Sequence, residues 1–149
     1  MSITLPIDLI GLHEKFNFET LAAKLGIQSE TNRADGFVTI KMSKNQQTEA
    51  LKVIRELVDE SISDTLQDEM MNVYYSDIEV NDECSKIQVN LFPDSEFGMV
   101  QEMGLLPVKI SCMIYQAFNG EDDYGTNVSI INSDTKAVIT EYYYSSNEL

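Results

Sequence analysis

Between residues 51 and 73 the apolar side chains Leu51, Ile54, Val58, Ile62, Leu66, Met70 and Val73 recur on average about every 3.7 residues, close to the helical period. The spacing predicts one long amphipathic helix. Ser43 followed by Gln46 fits a capping box at its start, so the helix is expected to open at residue 44. Unbroken to residue 74 it would be roughly 46 Å long at 1.5 Å rise per residue, long for a domain of this size, and a break near Ser61 to Ser63 is compatible with the pattern.

The remaining elements are shorter. Phe18, Leu21, Ala22 and Leu25 have helical spacing, with Asn17 placed to cap the start and Gly26 to end the turn. FVTIKM (37–42) reads as a strand after Gly36, and KIQVNLF (86–92) alternates Ile87, Val89 and Leu91 with polar residues, with 73–80 as its expected partner. A short helix bearing Phe97, Val100 and Met103 is expected between a cap at Asp94 or Ser95 and a stop at Gly104. Three strands then complete the prediction: 108–118 (Val108, Ile110, Cys112, Ile114), 126–131 and 137–144, with Asn119-Gly120 as a hairpin signal. The predicted class is α+β: a mostly antiparallel sheet with one long amphipathic helix and shorter helices packed on one face, its middle portion compatible with a ferredoxin-like arrangement. With 149 residues, the chain suits a single domain, in which residues 1–36 form a helical N-terminal segment packed on the α+β body.

Charge is distributed unevenly over this frame. Nineteen of the 25 acidic residues lie from Glu56 onward, against only Lys86, Lys109 and Lys136. From Glu56 to Ser85 there is no Lys or Arg at all. A hydrophobic content of 43% argues against a disordered acidic tail, so the acidity belongs to a packed body. A field of this sign attracts cationic partners and repels nucleic acid and anionic membranes. On the long helix Glu56, Glu60, Asp64 and Asp68 recur every fourth residue, out of phase with the apolar stripe, and predict an exposed acidic ridge. Natural surfaces usually intersperse both signs, so a ridge without compensating cations points to a target that supplies them; the same pattern also fits a solvated face that keeps an acidic protein in solution.

Other motifs are weaker. NGEDDYG (119–125) and DIEVNDE (77–83) begin with the spacing of a calcium loop, but position 6 is Tyr124 or Asp82 and position 12 is Ile130 or Gln88, where Gly and Glu are required. Both read better as acidic surface loops. TLAAKLGIQSETNRAD (20–35) resembles the opening of a helix-turn-helix, yet a second helix from Ser29 would soon meet Gly36 and bring only Arg33 as a cation, too little for phosphate contacts. His13 is the single histidine, Cys84 and Cys112 lack metal-ligand or disulfide-framework spacing, and no glycine-rich phosphate loop is present. Both cysteines are expected reduced, with Cys112 buried. Seven tyrosines, among them Tyr142, Tyr143 and Tyr144, place aromatic area beside the acids; in a strand Tyr142 and Tyr144 would share one face.

Small size, missing catalytic motifs and one strongly acidic region together resemble, as a class, the small acidic inhibitors encoded by phages and mobile elements. DNA mimics and anti-CRISPR proteins belong to that class, and the likeness rests on charge and composition, with no diagnostic motif. It implies a non-enzymatic inhibitor or regulator that occupies a basic, nucleic-acid-binding protein surface. The expected contacts are Glu56, Asp59, Glu60, Asp64 and Asp68 on the helix and Glu121, Asp122, Asp123 and Tyr124 in the loop. No metal, cofactor, direct nucleic-acid contact or membrane partner is expected, and the expected location is the cytoplasm, that of the host if the gene is phage-borne. Two alternatives remain open: an immunity protein that neutralises a basic toxin, and a small enzyme or ligand-binding domain whose pocket is assembled from scattered residues.

Overall fold

The computed structural model describes residues 1–145 and has the α+β class that the sequence predicts. Its strands form two sheets where the sequence reading expects one. The first sheet has the order β1-β3-β2, all antiparallel: β1 (Ser2–Pro6), β3 (Phe37–Lys41) and β2 (Gln28–Asn32). The second has the order β4-β5-β6-β7: β4 (Tyr75–Val80), β5 (Lys86–Leu91), β6 (Gly125–Asn132) and β7 (Val138–Ser145). Only β5 and β6 are parallel, joined by the crossover through α4 (Met99–Gly104) and α5 (Leu106–Phe118). This β-β-α-α-β-β order replaces the expected ferredoxin-like arrangement, which alternates as β-α-β-β-α-β.

The N-terminal segment is less helical than its sequence indicates. It contains α1 (Ile7–Gly11) and α2 (Phe18–Leu25), but also β1 and β2. In α2 the Asn17 side chain accepts from Thr20 N at 3.0 Å, and Gly26 ends the helix in the left-handed region at φ 70°, both as expected. Where a helix-turn-helix would place its second helix, the chain instead enters β2, which pairs with β3 through a turn closed by Gly36 N–H to Asn32 C=O at 3.0 Å. Every residue of β2 is exposed, so no apolar alternation marks it in the sequence. Its strand character comes from pairing alone.

The long helix α3 runs unbroken from Lys44 to Gln67, a length of roughly 36 Å at 1.5 Å per residue. Ser43 and Gln46 form the expected capping box, and the Gln46 amide also donates to the carbonyls of Leu25 and Gly26, tying α2 to the start of α3. The helix survives Ser61 and Thr65 because both hydroxyls donate to carbonyls one turn back, Leu57 and Ser61, which satisfies them inside the core. It ends at Asp68, whose extended backbone (ψ 126°) turns the chain and whose Oδ1 accepts from Met70 N at 2.8 Å. Met70 and Val73, assigned by spacing to the buried stripe, therefore lie beyond the helix and are exposed by 70% and 61%.

The largest difference concerns residues 108–118, which form helix α5 rather than a strand. Ten of its thirteen residues are buried. Ile110, Met113, Ile114 and Ala117 meet one core with Ile3, Leu5, Val38 and Ile40 of the first sheet. Leu105, Val108 and Cys112 meet the other with Ile78, Ile87, Val89 and Val128 of the second. A helix buried on nearly all sides has no wet face to reveal its period, and the alternation of Val108, Ile110, Cys112 and Ile114 with Lys109, Ser111 and Met113 imitates a strand. Pro107 in the first turn is the one local signal of a helix start. Asn119-Gly120 does not turn a hairpin: it closes α5, with Gly120 at φ 85°, and the chain passes to β6.

One charge lies inside this core. Lys109 is fully buried, its ammonium paired with Glu102 of α4, 3.4 Å from Tyr142 Oη and 4.4 Å from the ring centre of Tyr144. Tyr142 also donates to Glu102, so the pair fastens β7 to the α4–α5 corner. Tyr142 and Tyr144 share that inner face, as alternation requires, while Tyr143 points outward. Removing Glu102 leaves Lys109 fully buried without its counter-charge, whereas replacing Lys109 by Met leaves Glu102, whose side chain is 34% exposed, within reach of water and of the Tyr142 hydroxyl. Glu102→Ala is expected to destabilise the fold by about 3–5 kcal/mol and Lys109→Met by about 1 kcal/mol or less, measured by urea unfolding; equal losses would mean that the pair carries no such asymmetry.

Candidate functional site

The exposed side of α3 carries the acidic ridge. Glu56, Asp59, Glu60, Asp64 and Asp68 all face solvent, as their phase against the apolar residues requires. The ridge is nevertheless not free of cations. Lys15, from the segment before α2, reaches Glu60 Oε1 at 2.9 Å and Asp64 Oδ2 at 2.6 Å, and Arg55 lies 3.5 Å from Asp59. The sequence could not show this, since Lys15 is more than forty positions away from its partners. The hydrogen bonds to Asp64 and Glu60 push the Lys15 ammonium above its ordinary value, so it stays charged. Glu56, Asp68 and the adjacent Glu69 have no Lys or Arg within ion-pairing distance among the described residues.

Loop 119–125 lies elsewhere. Gln47, in the first turn of α3, donates to Phe118 C=O at 3.0 Å, which puts the loop about 25 Å along the helix axis from Asp64 at 1.5 Å per residue. Glu121, Asp122 and Asp123 are exposed there. Tyr124 is only 7% exposed and packs into the first core, so it is withdrawn from the expected contact set: the loop turns its ring inward between α5 and β6. The ridge and the loop thus form two patches. Asp77, Glu79, Asp82 and Glu83 add a third acidic area around the exposed side of the β4–β5 hairpin.

Beside the far end of the ridge lies a trough of about 640 Å³ between α3, the 68–71 turn and the α4–α5 junction. Its apolar walls include Leu12, Met70 and Met103, exposed by 45%, 70% and 61%, and its floor includes Met71 and Ile110. Asp64 and Asp68 belong to both trough and ridge. Sequence reasoning missed this feature because spacing placed Met70 in the core. A usable signal was the adjacent pair Met70-Met71 directly after the acidic ridge, which the trough brings together with Met103.

At the trough edge His13 and Ser61 are paired, Nε2 to Oγ at 2.8 Å. The pair is not arranged for nucleophilic chemistry. His13 Nδ1 accepts from Lys15 N–H, so the ring proton sits on Nε2 and points at Ser61, whose own proton goes to Leu57 C=O. A base that donates to the hydroxyl cannot activate it. The arrangement locks the 12–15 segment onto α3. Cys84 and Cys112 are both buried free thiols; Cys112 donates to Cys84, which with Arg55 Nη1 at 3.3 Å holds the Cys84 thiol below its usual range, while Cys112 is pushed up. Among the described residues no cluster of three or more His, Cys, Asp or Glu side chains could hold a metal ion, and no helix is long and apolar enough to cross a membrane.

Burial first, then Lys15, lowers the pKa of His13 from 6.5, while Glu14, Glu60 and Asp64 oppose the shift. A depressed value means that the unfolded chain binds this proton more readily than the folded one. The contribution of His13 to stability is therefore complete above about pH 6.5 and is lost as pH falls through the folded value. His13→Gln keeps a donor for Ser61 without the titration. The melting temperature of the wild type relative to this variant should fall between pH 7.5 and pH 5; a difference independent of pH would show that His13 does not titrate abnormally.

Comparison of the chain with protein-family models, with curated proteins and with solved structures returned no match.

Proposed function

We propose that this protein is a non-enzymatic inhibitor or regulator that binds a basic surface of another protein, one that itself handles nucleic acid, through the outer face of α3. The supporting observation is that Glu56, Glu60, Asp64 and Asp68 are exposed along the outer side of α3, where among the described residues only Lys15, held by Glu60 and Asp64, and Arg55, beside Asp59, pair with the ridge. Like charges four residues apart on a helix oppose its formation by a few tenths of a kcal/mol each, and the apolar side of α3 does not need them. Their placement is accounted for by a partner that supplies the cations. Hydrolysis at Ser61 is disfavoured by the direction of its hydrogen bonds.

Two measurements on the captured partner test this reading. Raising salt from about 0.05 to 0.5 M shortens the Debye length severalfold and should slow association markedly, since steering by charge acts on the on-rate. Combining Glu56→Gln, Glu60→Gln, Asp64→Asn and Asp68→Asn keeps the helix propensity of each position nearly unchanged and retains the acceptor for Met70 N, leaves Lys15 without a counter-charge, and should barely change the melting temperature. Losses of about 1 kcal/mol per site would then weaken affinity by about 10²-fold or more. An on-rate indifferent to salt, or undiminished affinity of the quadruple variant, would refute the reading.

A further inference from the structure

We infer that the trough beside the ridge is the binding site for an amphipathic basic helix of the partner, whose apolar side fills the trough while its Lys and Arg residues meet Asp64, Asp68 and Glu14. The inference rests on the reading above and narrows it from a charged surface to a defined class of segment.

Three observations converge on that occupant. The trough is apolar where solvent reaches it: Met70, Met103 and Leu12 are large and exposed, and Met70 has no part in the α3 stripe because the helix ends before it. Methionine adapts its shape to an incoming apolar surface, which suits a groove that receives side chains better than it suits solvent. The polar groups at the trough edge are already satisfied internally, His13 by Ser61, Ser61 by Leu57 C=O and Thr65 by Ser61 C=O, so little is offered to a polar small molecule. The rim is anionic, and its cation Lys15 is held by Glu60 and Asp64. Charge complementarity therefore selects a cationic occupant. It disfavours a second copy of a chain with net charge −15, and it disfavours an anionic lipid surface.

Met71 lies against Gly104 at the back of the trough, where a Cβ would overlap the Met71 sulfur. The floor thus depends on a bare backbone at the end of α4. That leaves the exposed Met70 and Met103 as the side chains that can be changed without touching the core.

The test uses the full chain and a fluorescent synthetic peptide of about five helical turns, built of Leu and Lys with Leu at i, i+3, i+4 and i+7. A control peptide has the same composition scrambled so that no apolar face forms. At about 0.15 M salt, where long-range attraction is screened, the amphipathic peptide is expected to bind at least tenfold more tightly than the control by fluorescence anisotropy. Combining Met70→Ser with Met103→Ser should remove that advantage while leaving the circular dichroism spectrum and melting temperature unchanged. Glu121→Gln with Asp122→Asn and Asp123→Asn, on the separate loop, should alter binding less than twofold. Equal affinity for both peptides would overturn the inference while leaving a purely electrostatic interaction intact, whereas failure of both peptides to bind at any salt would remove the proposed function as well. Concentration-dependent dimerisation abolished by the methionine variant would assign the trough to a second copy and overturn the inference.

Discussion

The enclosure of α5 between two sheets is the constraint on which the other parts depend. A helix of thirteen residues with ten buried must find apolar partners around most of its circumference, and neither sheet alone can provide them. The first sheet covers Ile110, Met113, Ile114 and Ala117; the second covers Val108 and Cys112. The long helix serves both cores in turn, Ala50 and Ile54 in one and Val58 in the other. The N-terminal strands are thus integral: without β1 and β3, one side of α5 would face water.

Such burial obliges every polar group on α5 to be satisfied locally, because water does not reach it. Ser111 donates to Val108 C=O at 2.8 Å. Gln116 donates to the carbonyls of Cys84 and Gly125 and accepts from Gly125 N, clamping the β4–β5 turn to the start of β6. Lys109 reaches Glu102 and the tyrosines of β7. These bonds hold the second sheet at a fixed position relative to the helix. They also explain where the free surface lies: the inner faces of both sheets are spent on α5, and α3 is left with an outer side whose ridge carboxylates pair, among the described residues, only with Lys15 and Arg55.

What could be read from the sequence follows from this division. The amphipathic α3, its capping box and the alternating β5 were legible because each has one wet and one dry face, the pattern that periodicity detects. The acidic ridge was legible for the same reason. Helix α5 was not, since burial on nearly all sides erases the period and the Val108–Ile114 alternation competes with it. Strand β2 was not, since Gln28–Asn32 has no dry face at all. The Lys15 contacts and the trough depend on segments distant in sequence meeting in space, and Met70 was misplaced because the spacing continues two positions past the residue, Asp68, at which the backbone turns away.

Native-state amide hydrogen exchange tests the central position of α5 most directly. If both cores are built on this helix, the amides of its buried residues should exchange only through global unfolding, with the full free energy of unfolding, while those of β2 exchange through smaller local openings. Amides in Ile110–Phe118 that exchanged at a lower free energy than those of β5 and β6 would contradict the account, because the second sheet would then keep its structure while α5 opened.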